Sequence, residues 1–336
     1  MSDARFRIDE SRVTRLARAL SAVAPSQDWF VPRLTGVAAS HEADFWCLVI
    51  AICQQTRTAR GVVDGQAVRG SDYLVARAVA RVRDEPEVLT PSAVVDWDEG
   101  RIRSFFSDDG HASSSTLDRA AERVRLLTGL ARRLVDEYDG TFRTLVARAG
   151  GKVAGPGGVE ARLAETEAYA DPARKKTWLL LLFLRRIGVV ELVDAESIGL
   201  PVDYHIMRVL LRAGAVEVVS DDFARRLADG AEVSLEDDAA LRVAVSRAGT
   251  ALAAVGGRDM FEIDNLLWMI GRNCCFYEHD PVCQESKPCA HREGCSLVTS
   301  TDWDCPDKCP LEGSCRGSKD PAYARLKETC VDTHYY

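Results

Sequence analysis

Apolar residues recur along this chain at intervals of three and four, the spacing that lines one face of an α-helix. Residues 10–23 read as a basic amphipathic helix, 45–56 as an apolar helix ending in the adjacent amides of Gln54 and Gln55, and 72–83 as a third helix. The stretch 118–139 is long and amphipathic and stops at Gly140, with a further helix over 142–149. Strand-like alternation is scarce, while 104–116 and the glycine-rich 150–158 read as loops. The pattern predicts an all-α protein without internal repeats.

Two helix starts carry polar side chains of chemical interest. Pro201 disfavours helix before it, Asp203 is a good N-cap, the residues after it repeat apolar positions at helical spacing, and Gly214 is a natural stop. Upstream, Asp171 and Pro172 read as a cap followed by proline at the first helical position. That places Lys176 where the polar first turn meets the apolar run 179–184.

With 336 residues, 46% of them hydrophobic, the chain has enough apolar surface for one large or two modest domains. No apolar run approaches the roughly 18 residues that suggest a membrane span, and the first residues lack a signal-peptide core, so a cytoplasmic location is expected and no membrane partner. A net charge of −8 excludes a protein that coats nucleic acid by bulk electrostatics. Any such contact needs a local basic face. Arg119, Arg123, Arg125, Arg132 and Arg133 form one candidate, interleaved with Asp118, Glu122, Asp136 and Glu137; Arg174, Lys175, Lys176, Arg185 and Arg186 form another with little acid among them.

Eleven cysteines are present, nine of them after Asn273. Without an export signal such clustering favours metal over disulfides. Cys47 and Cys53, on the apolar helix, read as inert core thiols, and Cys330 has no assignment.

Four segments in order resemble motifs of the helix-hairpin-helix DNA glycosylase superfamily, the group that includes endonuclease III and the adenine and 8-oxoguanine glycosylases. Gln54-Gln55-Thr56 resembles its Gln-Gln-Thr segment and Lys176-Thr177 its catalytic Lys-Thr. Residues 202–209 resemble its Val-Asp-Thr-His-Val-x-Arg-Val, and Gly271, Arg272 and Cys275 match Gly-Arg-x-x-Cys. The likeness runs from about Phe45 to Cys315. The usual hairpin, Leu-Pro-Gly-Val-Gly-Arg-Lys-Thr, is replaced by 167–177, and the long gap from Lys176 to Asp203 is similar to the archaeal 8-oxoguanine glycosylases.

The resemblance implies a two-lobed helical fold, with residues 1–43 and 169–273 in one lobe carrying the catalytic Lys and Asp, 44–168 in a barrel lobe, and 274–336 as a cysteine-rich tail. The implied cofactor is a [4Fe–4S] cluster. Cys305, Cys309 and Cys315 resemble the end of the family's Cys-x6-Cys-x2-Cys-x5-Cys loop, with Cys275 as first ligand. The set Cys275, Cys283, Cys289 and Cys295 is the alternative. If iron takes the first set, Cys283, Cys289 and Cys295 with Cys274, His279 or His291 form a possible zinc site.

The partner implied is double-stranded DNA carrying a damaged or modified base, an oxidised purine or a phage-type modified base, in a nucleoid-associated setting. A base must leave the stack before its glycosidic bond can be cut. Asp203 is expected to stabilise the positive charge that develops on the sugar, and Lys176, with its pKa lowered, to attack C1′ and permit strand cleavage. Lys175 is the alternative lysine. Gln55, with Gln54, is expected to fill the vacated space; Arg174, Lys175 and Arg208 to contact DNA; and Trp178, Tyr204 and His205, with Tyr169, to border the base. The pocket also draws on residues 26–38. Alternatives are a monofunctional glycosylase of anti-phage defence, a metal-stabilised DNA-binding protein without catalysis, and a glycosylase for nucleosides or RNA.

Overall fold

The computed structural model describes residues 4–25, 34, 37–276, 281–284, 289 and 294–336. Most of these are helical, with two small sheets. The first half runs β1 (Phe6–Ile8), α1 (Glu10–Leu20), α2 (Ala39–Ala51), β2 (Arg60–Val63), β3 (Gln66–Arg69), α3 (Ser71–Asp84), α4 (Pro91–Val94), α5 (Glu99–Phe105), α6 (Ala120–Glu137), α7 (Phe142–Arg148) and α8 (Val159–Ala164). The second half continues with α9 (Lys175–Ile187), α10 (Tyr204–Ala213), β4 (Val216–Val218), α11 (Asp221–Asp229), α12 (Leu235–Gly256), α13 (Met260–Asn273), α14 (Ser296–Thr299) and α15 (Pro321–Ala324). None of the described helices is long and apolar enough to cross a membrane.

The chain divides into two compact units. One joins the chain's beginning, Met1–Phe30, to Gly199–Asp332. Here β1 pairs antiparallel with β4, Phe6 facing Val218 and Ile8 facing Val216, so strands some two hundred residues apart are tied together. The core is built from the apolar faces of α1, α10, α12 and α13. Helices α10 and α13 approach so closely that a Cβ at Gly271 would lie 2.7 Å from the Cβ of His205, which accounts for glycine in the Gly-Arg segment. The cysteine-rich region packs into this same core through Cys274, Cys275, Cys295, Leu297 and Leu311, rather than standing apart as a tail.

The other unit comprises Val31–Ile198 and Thr333–Tyr336. Its centre is α2, whose residues from Ala43 to Ala51 are almost completely buried. Trp46 meets Phe45 and Phe183 edge to face, with ring centroids 5.0 and 5.2 Å apart. Helix α9 packs on α2 and so belongs with this unit, whereas the resemblance groups Lys176 with the chain ends.

Two helix ends differ from expectation. Helix α2 ends at Ala51, so Gln54 and Gln55 lie in the turn beyond it, with Gln55 at a positive φ of 42°. Helix α9 begins at Lys175 rather than at Pro172 because Arg174 takes a left-handed conformation, φ 60°. Asp171 still caps, but from the preceding turn: its carboxylate accepts from the backbone N–H of Ala173 at 3.0 Å and of Lys175 at 2.8 Å.

Candidate functional site

Asp203 stands at the mouth of α10, where one oxygen of its carboxylate accepts from the backbone N–H of Ile206 at 2.9 Å. Gly214 closes the far end at φ 77°, so both ends follow from their residue types. Asp203 is half-buried, and among the described residues its second oxygen accepts no hydrogen bond. A fixed carboxylate with an unused oxygen is suited to stabilising a nearby cation. Beside it, the rings of Tyr204 and His205 lie 4.2 Å apart, and Trp268 meets His205 edge-on at 6.2 Å. Trp268 escaped the sequence reading because its role follows from the crossing of α10 and α13.

His205 is held as a neutral ring. Burial lowers its pKa, and its Nδ1 lies 3.0 Å from a guanidinium nitrogen of Arg208, so Nδ1 is the acceptor. Arg208 was expected to contact DNA, but its side chain is completely buried. Its guanidinium donates to the carboxylate of Glu328 at 2.7 Å and to the carbonyls of Cys275 at 2.7 Å and Gly271 at 3.1 Å. A buried guanidinium with these partners ties α10 to α13 and offers no face to a phosphate.

One turn further along α10, Arg212 reaches the cysteines. It donates to Cys275 Sγ at 3.5 Å and to the carbonyl of Phe276 at 2.7 Å, while its own carbonyl accepts from Cys315 Sγ at 3.4 Å. Burial, reinforced by the neighbouring thiols Cys309, Cys315 and Cys275, pushes Cys283 up to about 12. Burial with Cys275 and Cys309 raises Cys315 to about 12 as well. Cys309 is raised well above the usual thiol range by a hydrogen bond with Cys274 and by burial. Cys275, Cys283, Cys309 and Cys315 are thus neighbours of one another, with Cys274 joined to them through Cys309.

This grouping differs from both sets expected from sequence. Cys283 stands with Cys275, Cys309 and Cys315 of the first set, while Cys305 turns its thiol to the carbonyl of Lys308. Of the second set, Cys275 and Cys283 belong to the group. The resulting pattern is Cys275-x7-Cys283-x25-Cys309-x5-Cys315. Among the described residues no three His, Cys, Asp or Glu side chains stand close enough to hold a single ion. His279 and His291, named for zinc, lie outside the described residues.

In the other unit, Lys176 is 0% exposed. Its amine donates to the carbonyl of Ala51 at 2.6 Å and to Oε1 of Gln54 at 3.2 Å. Burial lowers its pKa to about 7, helped by the positive charges of Lys175 and Arg123. Gln54, expected to touch DNA, is fully buried and passes the contact on, its amide donating to Glu122 at 3.1 Å. Arg123 completes this end of α2, donating to the carbonyls of Ile52 and Gln54 and to Asp118. Two cations therefore close the carbonyl end of an apolar helix.

Gln55 is partly exposed, and its side-chain amide donates to the carbonyl of Thr333 at 2.7 Å. His334 contacts the carbonyl of Glu167 at 3.2 Å, so the segment Thr333–Tyr336 rests on this part of the unit, a contact no local sequence signal announces. Lys175 is half-buried with its amine 3.8 Å from Cys53 Sγ. Arg174 pairs with Glu160 at 2.7 Å. Trp178 is half-buried on α9, whereas Tyr169 is a core residue whose hydroxyl donates to the carbonyl of Cys47 at 2.6 Å. Of the first basic group, Arg123 is buried, and Arg119, Arg125 and Arg133 pair with Glu122, Glu167 and both Glu137 and Glu165. That leaves Arg132 as its one exposed cation without a contact among the described residues. Residues 26–33, 35 and 36, from the segment named for the base pocket, lie outside the described residues.

A basic hollow of about 270 Å³ was missed from sequence: Arg12 and Arg15 of α1 face Arg316 and Lys319, beside Cys315, with Asp320 as the single acid. No family model matches the chain, and no curated protein matches it.

Proposed function

We propose that the protein is a DNA glycosylase that excises a damaged or modified base, with Asp203 as the group that stabilises the developing sugar cation. The observation that carries this reading is the continuity of α10: its mouth holds a carboxylate with one free oxygen, and its body leads through Arg208 to the Gly-Arg helix and through Arg212 to four coupled cysteines. That is the order in which the resemblance places them.

In this reading the glycosidic bond breaks as electron density moves to the departing base and positive charge gathers on the sugar, where the fixed carboxylate of Asp203 offsets it. Tyr204, His205 and Trp268 border that position with aromatic surface for a displaced base. Gln55, the exposed member of its pair, fills the vacated stack. Cys275, Cys283, Cys309 and Cys315 would hold a [4Fe–4S] cluster. Held there, it would tie Cys275, just beyond α13, to the three later cysteines beneath Arg212 of α10, a structural role outside base release. The basic hollow beside Cys315 supports an anionic partner in a chain that is acidic overall.

Lys176 is assigned the attack on C1′ that forms a Schiff base and permits strand cleavage, a role supported by a pKa near 7. A second reading, base release alone, is favoured by the enclosure of the same amine against Ala51 and Gln54. Borohydride trapping on duplexes carrying a panel of oxidised purines and modified cytosines separates the two. A trapped covalent complex lost in Lys176→Gln supports the lyase; release of base with no trapped complex supports the monofunctional form.

A further inference from the structure

We propose that the β2–β3 hairpin is a phosphate clamp for duplex DNA, in which Arg60 and Arg69 close on one backbone phosphodiester. The inference rests on the reading of the protein as DNA-binding and adds a contact that reading does not contain.

Arg60 and Arg69 are directly opposite each other in the antiparallel ladder. Both are exposed, and neither side chain has a partner among the described residues. Like charges facing each other across a strand pair repel, with Cβ atoms only about 4.5–5.5 Å apart. The two acids that touch the hairpin do not relieve this. Asp64 is held by Arg83 through two hydrogen bonds of 2.9 and 3.0 Å, and Asp108 is taken by Arg77 and by the hydroxyl of Tyr73. What remains is a pair of guanidinium forks aimed from one short ribbon, an arrangement that an oxyanion bridging them would neutralise.

The ribbon is rigid enough to present them. Its tip is a two-residue turn with Asp64 at φ 49° and Gly65 at φ 79°, the left-handed pair that a tight hairpin requires. Its edge is fixed because Val62 donates its N–H to Asp108 at 2.8 Å and accepts from Arg77 at 2.6 Å. At its base, the hydroxyl of Thr116 both accepts from the N–H of Arg60 at 2.9 Å and donates to its carbonyl at 2.7 Å. Next along the ribbon on the same face as the arginines, toward its tip, lie Val62, 51% exposed, and its cross-strand neighbour Ala67, also exposed. An apolar pair beside two cations suits a sugar–phosphate backbone, and a two-stranded ribbon is narrow enough for a DNA groove. The hairpin also grows directly out of the Gln54-Gln55-Thr56 turn: Ala59 donates to the carbonyl of Thr56 at 3.0 Å and Gly70 to that of Ala59 at 2.7 Å.

The test is anisotropy of a fluorescent duplex titrated with the full chain, wild type against the double variant Arg60→Ser/Arg69→Ser, across about 50 to 200 mM salt. The double variant is expected to bind about tenfold more weakly at the low-salt end and to show a log–log salt slope shallower by about 1, the loss of one phosphate contact. Its melting temperature should be unchanged or higher, since a repulsive pair has been removed. Tight wild-type binding with the same slope and affinity in the variant overturns the clamp and leaves the glycosylase reading standing. A wild type that binds no duplex overturns both. Duplex binding with a shifted slope but no base excision supports the clamp and counts against the glycosylase.

Discussion

The amine of Lys176 and the carbonyl of Ala51 meet at 2.6 Å, joining the first turn of α9 to the last turn of α2. The lysine is thus both a structural closure of a helix end and, with a pKa near 7, a group able to shed its proton near neutrality. Its folded pKa lies below the unfolded value, so between about pH 7 and 10.5 the unfolded chain holds more protons. Stability contributed by this residue therefore rises with pH across that window, with a slope of at most about 1.4 kcal/mol per pH unit. Melting curves at pH 7 and 9 should show wild type gaining on Lys176→Met; equal shifts in both proteins would show that the amine is not titrating there.

Asp44 gives the opposite dependence. It is buried, accepts from the N–H of Phe142 at 2.6 Å through one oxygen, and leaves the other without a partner. Burial raises its pKa to about 7. The folded chain then holds the extra proton between about pH 4 and 7, so the stabilisation is complete below that window and lost as pH rises through it. Asp44→Asn should remove this part of the pH dependence, leaving a flatter profile from pH 4 to 7 than wild type shows in thermal melts.

The cysteine grouping makes a prediction that the set Cys275, Cys305, Cys309 and Cys315 does not share. Protein produced with its metal should lose most of its iron and its visible absorption in Cys283→Ser, whereas Cys305→Ser should keep both. Iron analysis of the two variants side by side decides between Cys283 and Cys305 as the fourth ligand.

Much of the local structure was legible because it is encoded within a few residues. Asp203 and Gly214 delimit α10 as their chemistry requires, and Asp64-Gly65 is a hairpin signal, although the surrounding helical pattern hid it. What stayed hidden depends on distant partners. Arg208 and Gln54 look like surface groups until Glu328 and Glu122 arrive from elsewhere in the chain to bury them. The same holds for the cysteines: spacing points to Cys305, four residues before Cys309, whereas the fold brings Cys283 to Cys309 across a gap of 25 residues. The order of the motifs is read along the sequence, while the partnering of each side chain came only with the fold.

Asp203 separates cap from catalyst. Asparagine caps a helix about as well as aspartate, whereas alanine loses about 1 kcal/mol. Asp203→Asn should therefore melt within about 2 °C of wild type, and Asp203→Ala should melt a few degrees lower. If Asn also melts well below wild type, the carboxylate is needed for folding and the variant carries no catalytic information.

The most direct test of the central claim is single-turnover base release by the metal-loaded protein, wild type beside Asp203→Asn, on duplexes carrying the panel of oxidised and modified bases. The account predicts release of at least one base by wild type and a loss of at least 100-fold, about 2.7 kcal/mol of transition-state stabilisation, in the folded Asn variant. Release that continues at the wild-type rate in Asp203→Asn, or no release of any base by wild type, would contradict it.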